Sequence, residues 1–490
     1  MNTERTDPRL TGEDTGRHRT ASPLVTRRQF LATAGAMAAA KSCAAETPKR
    51  RPNILLVHTD DQARWAMGAY GNRDIHTPNM DALARQGALF SRAFVSTPVC
   101  SPARATLMTG LDSIQHHIED WIHPKKETIG LEPKFTTFPE LLKQAGYATG
   151  YVGKWHLGKE PRFHPLRRGF DHFMGFLNGG NRPKDPVLEI DGKTAKRSGW
   201  LVDMLTDDAL GYIQANRSRP FFCMVSYRNP HGPWRPVQPE DEAPYRGKTL
   251  TLFKGSEVNA KKTERLLRQY YACCTAVDRN LGRLLAKLDE LGIAENTLVI
   301  FTGDNGYMIG QHGLHSKGNA HRLGPPGGCR PNMFDPSLFV PLTIRWPGVV
   351  KPGTRIDELV GQIDFFATLC DVAGVPNDRR PATESLSFLP LLQGRTVPWR
   401  DTIFGSYDQH HYEPSANLRM IRTERWKLVR NFKAGGKEEL YDLANDPHEL
   451  VNLADDPKAK ATRDALAKRL EAWQRRLGDR ILERPPKAGV

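Results

Sequence analysis

Four short apolar runs limit what this chain can fold into, because each has the length of a strand and each ends in a polar cluster. Residues 54–57 lead into His58-Thr59-Asp60-Asp61, and residues 148–152 into Gly153-Lys154-Trp155-His156. Residues 220–227 lead into Asn229-Pro230-His231, and residues 297–301 into Gly303-Asp304-Asn305-Gly306. Segments with helical periodicity separate them, at 79–86, 137–144, 203–216 and, most clearly, 258–291 with Gly292 as its stop. This alternation predicts an α/β domain whose large, mostly parallel sheet is flanked by helices. In such sheets ligands sit outside the carboxyl ends of the strands, so four polar edges pointing one way predict a single site.

Beyond about Pro390 the pattern changes to strand-like pieces at 402–407, 418–422, 426–431 and 439–443, followed by a helix at 458–477. These predict a small C-terminal α+β subdomain with an antiparallel sheet. The expected organisation is a main domain over 51–392, a subdomain over 393–480 and a loose tail over 481–490. With 490 residues the chain has ample length for one large core and a smaller one.

The segment Cys100-Ser101-Pro102-Ala103-Arg104 reads as the start of a helix, since a proline is tolerated in the first turn. Cys100 then sits at the positive helix end with Arg104 one turn later, which predicts a depressed thiol pKa and an anion held by free backbone N–H groups. Asp60 and Asp61 can aim two carboxylates at one point, which is costly unless a cation neutralises them. Asp304-Asn305 adds two further oxygen donors, and an all-oxygen set favours calcium or magnesium over zinc. Taken singly, an Asp-Asp or Asp-Asn-Gly is usually an ordinary turn. Lys154 and His156, two residues apart in an extended loop, can face one cleft with His231 and Lys317. Together they form a set suited to handling an anion.

The first fifty residues differ from the rest. Thr26-Arg27-Arg28-Gln29-Phe30-Leu31 followed by the apolar stretch 32–40 resembles a twin-arginine export signal, which sets residues 1–45 apart from the fold and predicts a periplasmic or extracellular protein. The apolar stretch is too short to span a bilayer as a helix. Of seven cysteines, Cys43 falls in this leader, and the others are irregularly spaced with no CxxC pair, which argues against a disulfide scaffold or a zinc site. The 70 basic against 55 acidic residues, a net +15, suit a polyanionic partner.

The residues from Cys100 to Gly110 resemble the signature of type I sulfatases, members of the alkaline-phosphatase-like superfamily in which this cysteine becomes formylglycine (3-oxoalanine). The rest of the pattern follows in order: residues 53–61, Thr77-Pro78-Asn79-Met80-Asp81, residues 153–158, 229–234 and 302–306, and Val340-Pro341. Trp426-Lys427-Leu428, Tyr441-Asp442-Leu443 and Asp446-Pro447-His448-Glu449 resemble the family's C-terminal part. The resemblance implies hydrolysis of a sulfate ester, with one calcium ion (Ca2+) bound by Asp60, Asp61, Asp304, Asn305 and the modified Cys100. It also implies that Arg104 and Lys154 hold the formylglycine, that His156 assists collapse of the intermediate, and that Lys154, His231 and Lys317 contact the substrate. Implied partners are a sulfated small molecule or polysaccharide, a formylglycine-generating enzyme and the twin-arginine translocase, with no nucleic acid and no stable membrane span.

Two departures stand out: an insertion over 318–332, expected to shape the substrate pocket, and Glu384 where a glycine is more usual. His164, Arg167, Arg168, His172, Asn178 and Arg182 are candidate substrate contacts. A phosphate or phosphonate ester hydrolase of the same superfamily is the rival enzyme reading, although two-metal members usually carry Asp-His where this chain has Asp304-Asn305. An inactive binder of sulfated polymers is the non-enzymatic rival, and it would have no need of Cys100.

Overall fold

The strand Asn53–Asp60 is buried along its whole length and lies at the centre of a ten-stranded sheet. It pairs in parallel with Phe221–Pro230 on one side and Thr297–Gly303 on the other, with Ile54 opposite both Phe222 and Leu298. Ala148–Lys154 and His172–Phe176 extend the parallel block, and the antiparallel strands Leu342–Arg345 and Val187–Ile190 flank it on its two sides. The computed structural model describes residues 51–125, 128–254 and 257–483. The export leader, Cys43 and most of the expected tail lie outside the described residues.

Strand side chains alternate between faces, and here both faces are apolar because both are covered. Ile54 and Leu56 enter one core with Leu107, Leu141 and Phe366, which come from the helices Cys100–Thr109, Phe138–Gln144 and Asp364–Ala373. Leu55 and Val57 enter the other with Leu83, Leu205 and Leu281, from Pro78–Gln86, Leu201–Asn216 and Ala260–Glu290. The sheet is thus the middle of three layers, and its carboxyl edge is left for loops.

The predicted helices are all present with shifts of a few residues at their ends. The longest starts at Ala260 rather than 258, because the Asn259 side chain accepts from the Lys262 N–H and caps it there. Among the described residues no helix is long and apolar enough to cross a membrane.

The C-terminal strands Thr402–Gln409, Ala416–Thr423, Trp426–Asn431 and Glu439–Asp442 form an antiparallel sheet. One face packs Ile421, Leu428 and Leu440 against Leu466, Leu470 and Trp473 of the helix Lys460–Leu477. The other contributes Leu418, Met420 and Val429 to the main core. A buried charge cluster fastens the two layers: Lys427 Nζ lies 2.8 Å from Asp335 Oδ1 and 2.6 Å from Glu449 Oε1, and Arg422 pairs with Asp335 at 3.0 Å. The insertion over 318–332 folds into the strands Asn319–Arg322 and Cys329–Pro331, which join Met308–Ile309 and Leu314–Ser316 in a second small antiparallel sheet.

Candidate active site

Each of the four polar edges delivers its side chains to one place. Asp61 follows the central strand with φ +65°, a left-handed bend uncommon outside glycine but tolerated by aspartate. The Tyr270 hydroxyl holds this bend by donating to the Asp61 carbonyl at 2.6 Å. The Asp61 N–H donates to Asp304 Oδ1 at 3.0 Å, linking the first and last parallel edges. Gly306 lets the Asp304 loop run close to its neighbour: a Cβ there would lie 2.2 Å from the Pro336 carbonyl oxygen. Gly153, with φ +125°, likewise lets the Lys154 strand approach Ser226.

Arg104, 1% exposed, is the hub of the cluster. Its Nε donates to Asp304 Oδ2 at 3.0 Å, and its Nη1 donates to the Lys154 carbonyl at 2.9 Å and to Ser226 Oγ at 2.7 Å. Lys154 Nζ donates to Asp60 Oδ2 at 2.5 Å, and Lys317 Nζ donates to Asp61 Oδ1. Burial alone would push Asp60 up, but Lys154, His231 and Arg104 hold it at about 2. Asp61 is lowered in the same way, chiefly by Lys317, and Lys317 is raised well above its usual value by Asp61 against the effect of burial.

Two acceptor atoms in the cluster are left over. Asp60 Oδ1 and Asn305 Oδ1 are buried and have no hydrogen-bond partner, a costly arrangement for oxygen atoms unless a cation takes them up. With Asp61 and Asp304 beside them, the donors are all oxygen, which fits a hard divalent cation.

The histidines have defined states. His156 Nε2 donates to the Ile122 carbonyl at 3.0 Å, so Nδ1, buried and unpartnered, carries the lone pair. Burial and Lys154 keep its pKa well below the usual value. His231 Nδ1 donates to the Gly232 carbonyl at 2.6 Å, its Nε2 is 3.9 Å from Asp61 Oδ2, and burial lowers its pKa against the pull of Asp60 and Asp61.

A cavity of about 600 Å3 opens over this cluster, walled by Cys100, Asp61, His156, His231 and Lys317 among the expected residues. Trp121, Tyr307, Asn319 and Tyr412 share the wall and carried no motif signal; they come from irregular segments, from the insertion and from the C-terminal layer. Ser226 and Tyr270 were also missed, although Ser226 lies in a predicted strand at the level of the site.

Two expectations need correction. Cys100 does begin a helix, Cys100–Thr109, but its thiol pKa is raised rather than depressed, because burial outweighs Lys154 and Lys317. Of the six candidate substrate contacts, only Asn178 lines the cavity. Arg168 is buried on Glu140 and the carbonyls of Leu131 and Phe135, His164 pairs with Glu189, and His172 pairs with Asp208. Arg167 and Arg182 are exposed away from the cavity wall.

A mostly parallel sheet with paired carboxylates, an amide, a helix-initiating cysteine and buried cations at its carboxyl edge defines a hydrolase of anionic esters with the alkaline-phosphatase-like fold. The chain belongs to the sulfatase family, the sulfuric ester hydrolases: the sulfatase family model matches residues 52–375, and that of the N-sulphoglucosamine sulphohydrolase C-terminal region matches 330–476. It is 29% identical over 517 aligned positions to an N-acetylglucosamine-6-O-sulfatase of Bacteroides thetaiotaomicron, covering 88% of this chain and 87% of the relative. It is 32% identical to the human N-acetylgalactosamine-6-sulfatase, over 71% of this chain and 67% of that one. A solved structure of a protein with its substrate D-glucosamine-2-N,6-O-disulfate superposes with a TM-score of 0.76 at 25% identity, over 88% of this chain and 99% of that one.

Proposed function

We propose that this protein hydrolyses a sulfate ester on a carbohydrate, giving the alcohol and sulfate, with formylglycine made from Cys100 as nucleophile and one calcium ion at Asp60, Asp61, Asp304 and Asn305. The observation that carries the reading is the pair of buried, unpartnered oxygens, Asp60 Oδ1 and Asn305 Oδ1, in a cluster whose cavity is also walled by Cys100. The raised thiol pKa supports it further, since an unmodified Cys100 would be a poor nucleophile at neutral pH. The carbohydrate class is supported by the amino-sugar sulfatases among the relatives and by the net charge of +15.

Asp60, Asp61, Asp304 and Asn305 would hold the calcium, which would supply stabilisation of negative charge, and residue 100 as hydrated formylglycine would supply two hydroxyls, one to attack sulfur and one whose deprotonation would release sulfate. The chain's own groups account for the rest. Arg104 and Lys154, fixed by Asp304 and Asp60, keep positive charge beside residue 100. His156, neutral with an open lone pair at Nδ1, accepts a proton at this position. Lys317 remains cationic and donates to the sulfate, and His231, whose Nδ1–H is taken by the Gly232 carbonyl, reaches the leaving oxygen through Nε2 when that nitrogen is protonated. The neutral Asn305, in place of a further charged or imidazole ligand, matches one cation and a singly charged ester rather than a phosphate monoester.

The Arg27-Arg28 leader supports export through a twin-arginine translocase, with the cysteine modified and the metal loaded before transport.

The test is to produce the protein in a host able to install formylglycine, measure the mass of the peptide containing Cys100, and assay the same sample on a chromogenic aryl sulfate and its phosphate analogue. A mass loss at Cys100 with calcium-dependent sulfate release, abolished in Cys100→Ala, is expected. An intact thiol with no sulfate release would overturn the reading, and preference for the phosphate would favour the phosphoryl rival.

A further inference from the structure

Part of the cavity wall is aromatic, and its rings Trp121 and Tyr412 come from two separate stretches of chain. Trp121 lies between the helix Ser113–His116 and the strand that carries Lys154, Tyr412 follows the first C-terminal strand, and His321 of the insertion packs behind Tyr412. The rings of Trp121 and Tyr412 are neighbours in this wall, inclined to each other by 30° with centroids 6.5 Å apart. Tyr412 is 36% exposed, high for an aromatic ring in a cavity wall.

This pair is held as a unit. Asp120, 4% exposed, accepts from the Trp121 N–H at 2.8 Å and from the His410 N–H at 3.1 Å, tying the two segments together beneath the rings. His411 Nε2 donates to the Trp121 carbonyl at 2.9 Å. The insertion braces the other side: the His321 ring meets Tyr412 edge-on at 5.2 Å, and Gln409, which accepts from the Tyr412 N–H, donates to Cys329 Sγ at 3.5 Å. The insertion also brings Asn319 into the wall, with Asn178 supplying a second amide from the far loop.

Two neighbouring aromatic rings with amides nearby in one cavity suit a ligand that has an apolar face and a polar rim. A pyranose ring has that form, with axial C–H groups on one face and hydroxyls around the edge. We propose that Trp121 and Tyr412 form a stacking platform for the sugar ring that bears the sulfate, with Asn178 and Asn319 hydrogen-bonding its hydroxyls, and that Asp120 and the 318–332 insertion are positioning elements that hold the platform. This deepens the function proposed above and rests on it. The platform selects for a sugar, whereas the cluster beneath it acts on any sulfate ester that reaches it.

The test compares kcat and KM of formylglycine-bearing protein on N-acetylglucosamine 6-sulfate and on a short-chain alkyl sulfate that has no ring. Trp121→Ala and Tyr412→Ala are expected to raise KM for the sugar sulfate about tenfold or more, to shift the ratio of kcat/KM between the two substrates by a similar factor, and to leave the formylglycine content unchanged. Tyr412→Phe keeps the ring and is expected to keep the parent ratio; a ratio as low as that of Tyr412→Ala would show that the ring face does not act and overturn the platform. An equal fall on both substrates in both alanine variants would overturn the platform while the proposed function stands. Formylglycine absent from the parent protein, with no sulfate released from either substrate, would overturn both.

Discussion

Asn305 Nδ2 donates to Asp61 Oδ1 at 2.8 Å, and this bond turns the amide so that its own carbonyl oxygen is buried without a partner. The amide is oriented by one carboxylate and presents its oxygen beside others. A bound cation would convert that cost into affinity, so calcium is expected to raise the melting temperature in proportion to the logarithm of its concentration above Kd. The gain is about 2.7 kcal/mol at a hundredfold excess over Kd. Asn305→Leu, which has a similar shape and no oxygen, should abolish the calcium-dependent rise; a rise of the same size in that variant would place the ion elsewhere.

Arg104 ties three of the four strand edges together by hydrogen bonds, through Asp304, Ser226 and the Lys154 carbonyl. Removing it leaves Asp304 Oδ2 buried without that charge partner, and breaking such a pair costs about 3–5 kcal/mol. Arg104→Ala in calcium-free buffer is expected to lose stability of that order in urea denaturation. Arg104→Lys should recover only part of it, since an ammonium cannot reproduce the guanidinium fork that spans these acceptors. Full recovery by lysine would show that charge alone matters here.

The catalytic edge was legible in the sequence because parallel strands announce themselves as apolar runs and the site must follow their ends. Asp60, Lys154, His231 and Asp304 all lie where that rule puts them. Trp121 and Tyr412 were not legible, since they reach the cavity from segments without periodicity that are some 290 residues apart and are joined only in the fold, through Asp120 and His411. The Cys100 thiol misled for a related reason: a helix start is visible in sequence, but the burial that overrides it depends on what packs above. Arg168 likewise reads as a candidate substrate contact, and only the fold reveals that it is buried against Glu140 and two carbonyls.

Lys427 is fully buried between Asp335 and Glu449, where it joins the C-terminal sheet to the main body. Burial raises the Glu449 pKa, and Asp335 adds to this, while Lys427 opposes both, so what charge this carboxyl keeps depends on its lysine. Lys427→Met should destabilise by about 3–5 kcal/mol, because two acids lose a common partner. The double variant Lys427→Met with Glu449→Gln should recover much of that loss. A double-mutant cycle by denaturant unfolding measures the coupling, and simple additivity would contradict it.

His116 offers a pH test away from the catalytic cluster. It is 2% exposed, its Nε2 is 3.2 Å from Thr106 Oγ1, and the Ile118 N–H donates to its Nδ1 at 3.2 Å, which uses the imidazole as a neutral ring. Burial, reinforced by His117, lowers its pKa from 6.5 to about 3. Below pH 6.5 the unfolded chain binds a proton at this residue that the folded chain refuses. Stability therefore falls as pH drops from 6.5 towards 3, with a slope approaching about 1.4 kcal/mol per pH unit for this group, and is independent of His116 above that window. His116→Gln keeps hydrogen-bonding groups but does not titrate, so its stability relative to the parent should improve steadily as pH falls from 6.5 to 4. If the difference between the two proteins stays constant across that range, His116 is not held neutral by the fold.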